Sequence, residues 1–284
     1  MRSALLAIIL LTASLSHSRA QSISGFDAKT NEDDPFEHKS YFMYGINYLS
    51  NNVYLGRKDS AVVPYISPYI GYHDKSGFYA KGLLSYSPGK ANGRFDVATL
   101  EAGYDHSFGN FNAGVNADKF FYNKNSKSIR ANTKGGIGVD GQYNNDLIEP
   151  QATFDVNFNK SSTDYVAGFL LDHNFEFLEK RFQITPIIAM NAGTQNYYDE
   201  YFKARIAKAD KKAKVKKAID KAGDFNVLDY EISIKTTLSV NKWLFTLIPA
   251  YAIPVNAASI TLPNKVVTES LSNSFYCEVD ICHR

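Results

Sequence analysis

The stretch Leu147-Ile-Glu-Pro-Gln-Ala-Thr-Phe-Asp-Val-Asn-Phe-Asn159 decides the fold. Ile148, Pro150, Ala152, Phe154, Val156 and Phe158 share one parity, and Glu149, Gln151, Thr153, Asp155, Asn157 and Asn159 the other. An apolar period of two belongs to a strand with one greasy and one wettable face; a helix would repeat at 3.6.

The same rhythm extends in both directions. Ile129, Ala131, Thr133, Gly135, Ile137 and Val139 oppose Arg130, Asn132, Lys134, Gly136, Gly138 and Asp140. Ala98, Leu100, Ala102 and Tyr104 oppose Thr99, Glu101, Gly103 and Asp105. Leu228, Tyr230, Ile232, Ile234, Leu238 and Val240 oppose Asp229, Glu231, Ser233, Lys235 and Ser239. The pattern predicts about twelve strands, at 41–50, 61–72, 77–86, 95–108, 111–122, 128–142, 147–159, 164–176, 181–193, 226–240, 242–255 and 271–283. Most of them exceed the roughly 9–11 residues with which a tilted strand crosses a bilayer.

Alternation alone fits a soluble lipocalin-like barrel, apolar inside, as well as a membrane barrel, apolar outside. The connections and aromatics choose between them. Links after even-numbered strands are short: His73–Gly77, Gly109-Asn110, Tyr143–Asp146, Phe177–Arg181 and Asn241-Lys242. Several of the others are longer: Asn51–Ser60, Ser87–Arg94, Asn123–Ser128, Thr194–Phe225 and Asn256–Ser270. Tyr104, Phe108, Phe111, Phe158, Tyr165, Phe182 and Trp243 sit near strand ends on the apolar parity, as in an interfacial girdle. An even strand count, loop asymmetry and an aromatic girdle describe an all-β transmembrane antiparallel up-and-down barrel of the outer membrane. The termini and tight turns would then face the periplasm.

Composition agrees with this reading. Of the 284 residues 44% are hydrophobic, 21% charged and 14% aromatic, which argues against wholesale disorder. Beyond the first residues no apolar run reaches the roughly 18–20 residues of a helical span. Arg2, the apolar run Ala4–Leu15 and Ser18-Arg19-Ala20 read as a cleaved signal peptide over 1–20, followed by an acidic periplasmic extension over 21–40 and the barrel over 41–284.

The runs Leu49-Ser-Asn-Asn-Val-Tyr-Leu-Gly-Arg57, Val63-Pro-Tyr-Ile-Ser-Pro-Tyr-Ile-Gly-Tyr72 and Leu247-Ile-Pro-Ala-Tyr-Ala-Ile-Pro254 resemble outer-membrane β-barrel proteins of Bacteroidetes-type bacteria. The resemblance spans the chain from about Tyr41. It implies location and fold and carries over no activity or site residues. Such barrels usually end in an aromatic residue read by the barrel-assembly machinery, whereas this chain ends Ile281-Cys-His-Arg284.

Motifs with a chemical look have plainer explanations. Gly136-Ile-Gly-Val-Asp-Gly141 matches the dinucleotide fingerprint in letters, but that motif must open a helix, and here it lies within a strand. No histidine pairs at metal-ligand spacing. Cys277 and Cys282 lie on one predicted strand, five residues apart and on opposite faces, too far for a disulfide. A barrel esterase needs a serine within reach of a histidine; no Gly-x-Ser-x-Gly elbow occurs and His173 falls on the apolar parity, so no enzyme activity is expected. No cofactor, metal or nucleic acid is expected either, and the barrel is expected to be a monomer.

Charge placement carries the functional expectation. The polar faces hold Glu101, Asp105, Asp118, Asp140, Glu149, Asp155, Asp172, Glu176, Asp229, Glu231, Glu278 and Asp280 against Arg130, Lys134, Lys235 and Lys81. The lumen would be lined by Glu101, Asp105, Asp118, Arg130, Lys134, Glu149, Asp155, Asp172, Asp229, Glu231 and Lys235, with Lys134 opposite Asp155 and Glu101 opposite Asp118. Acidic rings select cations, so a narrow, mildly cation-preferring pore is one reading. A lumen closed by a salt-bridge network is the other, leaving a surface or scaffold barrel that acts through its loops. Residues 203–221 carry nine Lys/Arg and two Asp, and Tyr201–Ala222 reads as a loop helix. Lys208, Lys211, Lys212, Lys214, Lys216 and Lys217 would meet outer-membrane lipid, lipopolysaccharide or an acidic polymer.

Overall fold

The computed structural model describes residues 39–58, 62–88, 93–199, 201–202, 222–262 and 265–284. In chain order the strands are β1 (Tyr41–Leu49), β2 (Val53–Tyr54), β3 (Arg57–Lys58), β4 (Tyr65–His73), β5 (Phe78–Ser87), β6 (Arg94–Phe108), β7 (Phe111–Tyr122), β8 (Thr133–Tyr143) and β9 (Glu149–Asn159). They continue as β10 (Thr163–Asp172), β11 (Phe175–Phe177), β12 (Phe182–Gly193), β13 (Asn226–Val240), β14 (Trp243–Pro254), β15 (Ser259–Leu262), β16 (Lys265–Thr268) and β17 (Ser274–His283). Each of the twelve predicted strands corresponds to one long strand. β2, β3, β11, β15 and β16 are short additions.

The twelve long strands pair antiparallel with their chain neighbours. The ring closes through β10 against β12 and β1 against β17, so the wall has no free edge. The tight turns form where the sequence supplies positive φ: Gly109 at +75° and Asn241 at +56°.

The direction of the alternation is plain. Phe154 is 42% exposed and Ile232 51%, while Asp155 is 8% and Glu231 2% exposed. Ile46, Ile70, Leu100, Val115, Ile137, Val139, Ile188 and Leu247 continue the exposed apolar surface around the ring. A soluble monomer would not present so large an apolar exterior while burying carboxylates inside. This is a transmembrane β-barrel, with Phe111, Phe158, Tyr165 and Trp243 exposed near strand ends.

Three departures matter. Residues 128–132 form a turn, so β8 begins at Thr133. A bulge between Thr133 and Gly135 then reverses the parity, and Lys134 is exposed. Lys134 therefore leaves the set of lumen residues. The β8–β9 link is also wider than a two-residue turn, because Asn145 turns back on itself: Oδ1 accepts from the Leu147 and Ile148 amides and Nδ2 donates to the Ile148 carbonyl. As a result Asp155 faces Gly138, and Lys134 is not its partner. Finally, β10 stops at Asp172, which leaves Glu176 exposed on β11, and a shift in register at Asn191/Ala192 turns Leu228 inward to full burial.

Candidate functional site

The interior is built from cross-wall hydrogen bonds that skip a strand. Tyr69 on β4 donates its hydroxyl to Asp280 of β17 at 3.0 Å, passing over β1. Tyr276 on β17 donates to Glu231 of β13 at 2.7 Å, passing over β14. Glycine clears the way for the Tyr69 side chain across β1 and for the Tyr79 side chain over the neighbouring β6. Gly45 pairs with Tyr69, and a Cβ there would strike the Tyr69 ring; Gly103 stands in the same relation to Tyr79. The tyrosines lie across the bare backbone, and the Tyr79 hydroxyl ends on Glu101 at 3.0 Å.

Most inner carboxylates have a protein partner. Lys81 approaches Glu101 at 3.3 Å. Asn47 donates to Glu278 at 2.7 Å and Asn191 to Asp229 at 3.1 Å. Gln142 donates to Glu149 at 2.9 Å and sits 3.5 Å from Asp172, the carboxylate directly opposite Glu149. Glu101 and Asp118 face each other across β6 and β7. Asp105 and Asp140 flank Gly114, whose missing side chain leaves room for both carboxylates. Lys235 is half-buried on the parity of Glu231, and Asp155 is buried on that of Glu149. Several buried neutral polar atoms on β6 to β9 make no hydrogen bond to another described protein atom: Thr99 Oγ1, Asn116 Oδ1, Gln142 Oε1, Gln151 Nε2 and Thr153 Oγ1.

At the end bearing the longer loops the mouth is filled. The β2–β3 hairpin turns on Leu55 and Gly56, both at positive φ, and folds inward. Tyr54 and Leu55 pack with Ile129, Val166, Tyr197, Tyr198, Phe202, Leu228 and Ala258 into one apolar cluster, every member buried. Arg57 pins it. Its guanidinium donates to the carbonyls of Leu55, Leu228, Val255 and Asn256 at 2.9–3.1 Å and lies 3.6 Å from Glu269. Arg130 comes from the 128–132 turn, not from a strand; it is buried over the rings of Tyr54 (4.3 Å) and Phe120 (4.8 Å) and donates to Asn157. Burial pushes the Tyr54 and Tyr197 hydroxyls above their usual range.

Two aspartates tether the loops. Asp96 accepts from Tyr65, Arg94 and Ser126 at 2.6–2.8 Å. Asp164, fully buried, accepts from the Asn196 and Tyr197 amides at 2.7 and 2.6 Å and from the Thr194 hydroxyl. Those amides open a helix seen at 196–199 and 201–202, which starts upstream of the predicted one. It is capped by a side chain from the neighbouring strand. Lys208, Lys211, Lys212, Lys214, Lys216 and Lys217 lie outside the described residues.

Arg57, Asp96 and Asp164 were not singled out by sequence pattern. Asn51–Ser60 reads as a solvent loop, yet Val53-Tyr-Leu55 is too apolar for one, and that was the available signal. Both cysteines are free thiols, Cys282 inside and Cys277 half-buried. Gly136–Gly141 lies within β8, and a turn and β9 follow it.

No protein-family model matches the chain, and no curated protein does. Among solved structures it is similar to a KdgM porin at 9% identity, covering 85% of this chain and 98% of that one, with a TM-score of 0.49. It is similar also to LpxR from Salmonella typhimurium (12% identity, 85% and 99% coverage, TM-score 0.39) and to an anion-selective porin from Comamonas acidovorans (10%, 86% and 99%, 0.30).

Proposed function

We propose that this chain is an outer-membrane barrel of a Bacteroidetes-type bacterium whose interior is a narrow pathway for small solutes, mildly cation-preferring, and closed at its extracellular mouth by the inward-folded loops. The short turns, the start of β1 and the end of β17 face the periplasm. The observation that carries this is the contrast between the two halves of the interior. Beneath the mouth lies a wall of carboxylates and of neutral polar groups, and several of the neutral atoms make no hydrogen bond to another described protein atom. Buried groups of that kind take up water. At the mouth sits a separately packed apolar cluster, pinned by Arg57 to carbonyls of the surrounding strands and loops. A solid scaffold has no need of a hydrated, acid-rich interior under a distinct plug. The excess of carboxylates over Lys81, Arg130 and Lys235 along the wall supports the cation preference.

The filled mouth also favours a second reading, in which the barrel never conducts and works as a surface scaffold through Lys208, Lys211, Lys212, Lys214, Lys216 and Lys217, binding lipopolysaccharide, an acidic polymer or a partner protein. Planar-bilayer recording separates the two. The pore reading expects rare, small openings from the native protein and frequent, cation-selective ones from Arg57→Met. Silence from both proteins removes the pore, and anion selectivity removes its cation preference.

A further inference from the structure

We infer that the outer wall of β7, β8 and β9, just below the extracellular rim, holds a docking site for a phosphorylated saccharolipid of the outer leaflet. The site rests on the orientation given above and is separate from the lysine-rich segment 203–221.

Two exposed lysines interrupt the apolar outer face of β7 and β8. Lys119 is exposed on β7, on the parity of the exposed Val115, Ala117 and Phe121. Lys134 would have faced inward, but the bulge at Thr133/Gly135 turns it out. Lys119 pairs with Gly135, so the two lysines are diagonal neighbours on adjacent strands. Lys160 follows β9, and its amide bonds the Asn132 carbonyl at 3.0 Å, which brings a third exposed lysine to the rim, two residues above the level of Lys119 in the register. Three neighbouring strands spaced about 4.8 Å apart spread this row of ammonium groups over about 10 Å. Lys124 and Lys127 are exposed in the turn directly above.

Among the described residues adjoining the row in sequence, the acids do not offset this charge: Asp118, next to Lys119, lies on the inner parity opposite Glu101. Residues 119–134 contain no acid, and Asp164, the acid nearest to Lys160 in the chain, is fully buried and bonded to the loop helix. The surface around and below the row is apolar: Phe121, on the rim side of Lys119, and Ile137, Phe158 and Tyr165, below the row, are all exposed, and the Lys119 ammonium lies 5.9 Å from the Phe121 ring centroid. A row of cations over aromatic and branched apolar side chains complements a lipid with phosphates on its headgroup and several acyl chains beneath. The width of the row selects among anionic lipids. A disaccharide bearing two separated phosphates can engage lysines on all three strands at once, whereas a glycerophospholipid with one phosphate engages one end. The bulge gives this its local cause: without it Lys134 would lie inside the barrel and the row would be broken.

The test uses the purified full-length barrel in detergent, titrated with diphosphoryl lipid A, monophosphoryl lipid A and phosphatidylglycerol, with binding read by native mass spectrometry. The native protein should bind diphosphoryl lipid A at least tenfold more tightly than the other two. K119Q/K134Q/K160Q should abolish that preference, and K119R/K134R/K160R should keep it; a heat-shift gel verifies that each is folded. K211Q/K212Q/K214Q/K216Q/K217Q should leave the affinity within twofold. Equal binding of all three lipids, an undiminished glutamine variant, or loss of binding only in the 211–217 variant would overturn the proposal. Orientation is tested apart: Lys127→Cys on intact cells should react with a membrane-impermeant maleimide well above the native protein. Failure to react would overturn the orientation while leaving the detergent result to stand.

Discussion

Replacing Val139 by arginine should destabilise the barrel far more than any change at Lys134, although both positions are exposed. Val139 lies on β8 between Val115 and Phe154 on the exposed apolar face. It is five residues from Lys134. At about 3.3 Å per residue and a tilt of about 40°, that places it about 13 Å nearer the barrel's midplane. An apolar band about 25 Å tall with Lys134 at its rim then has Val139 at its centre. Arginine at such a depth costs about 2–4 kcal/mol, against about 0–1 near the interface. Val139→Arg should therefore shift the folding equilibrium by about 30- to 1,000-fold, and Val139→Leu and Lys134→Arg should barely shift it. The assay is denaturant-dependent folding into phospholipid vesicles, followed by the gel mobility difference between folded and unfolded barrels. In a barrel bathed by water, Val139→Arg would be an ordinary surface change of about 0.5 kcal/mol or less. A measured cost below about 1 kcal/mol would refute the reasoning.

Other expectations follow from single contacts. Asp164→Ala strips the acceptor from two buried amides, so the 194–202 loop should detach at a cost of about 1–3 kcal/mol per orphaned group; protease cleavage in that loop, with the barrel left intact, reads the loss. Gly103→Val places a side chain where the Tyr79 ring lies and should cost about 1–3 kcal/mol, with Tyr79→Ala restoring part of it. Asp74, in the tight turn between β4 and β5, accepts from the Ser76 hydroxyl and amide and from Ser40, which hold its carboxyl well below the usual range. Because the folded value is depressed, this turn's contribution is complete above about pH 4 and is lost only as pH falls well below that. NMR of the Ser76 amide should show no titration between pH 4 and 7; a midpoint near pH 4 would contradict the bonding.

The strand pattern was readable because burial in a membrane barrel is decided residue by residue. Phe154 and Asp155 are neighbours in sequence with opposite fates, and no distant contact alters that. Glu101 opposite Asp118 was readable too, since a two-residue turn fixes register. The register departs from a two-residue turn at the β8–β9 link: the Asn145 bonds widen it, and Asp155 faces Gly138 and not Lys134. Lys134 shows the second limit. One extra residue in a strand inverts every parity on one side of it, and Asn132-Thr-Lys-Gly-Gly136 contains no apolar side chain to register the inversion. The plug was hidden for a different reason. Arg57 is held by carbonyls of Leu228, Val255 and Asn256, about two hundred residues away in the chain, and backbone acceptors leave no trace in sequence. Asp96 and Asp164 are likewise known as tethers only from what they hold.

The most direct test of the account labels neighbours on β13. With Cys277 and Cys282 replaced by serine, nitroxides are placed singly at Glu231 and Ile232 in lipid bilayers, and collision with oxygen and with a water-soluble nickel chelate is measured by electron paramagnetic resonance. Ile232 should show high oxygen and low nickel accessibility, and Glu231 an oxygen accessibility many times lower. The reverse order, or free access of nickel to Ile232, would contradict it.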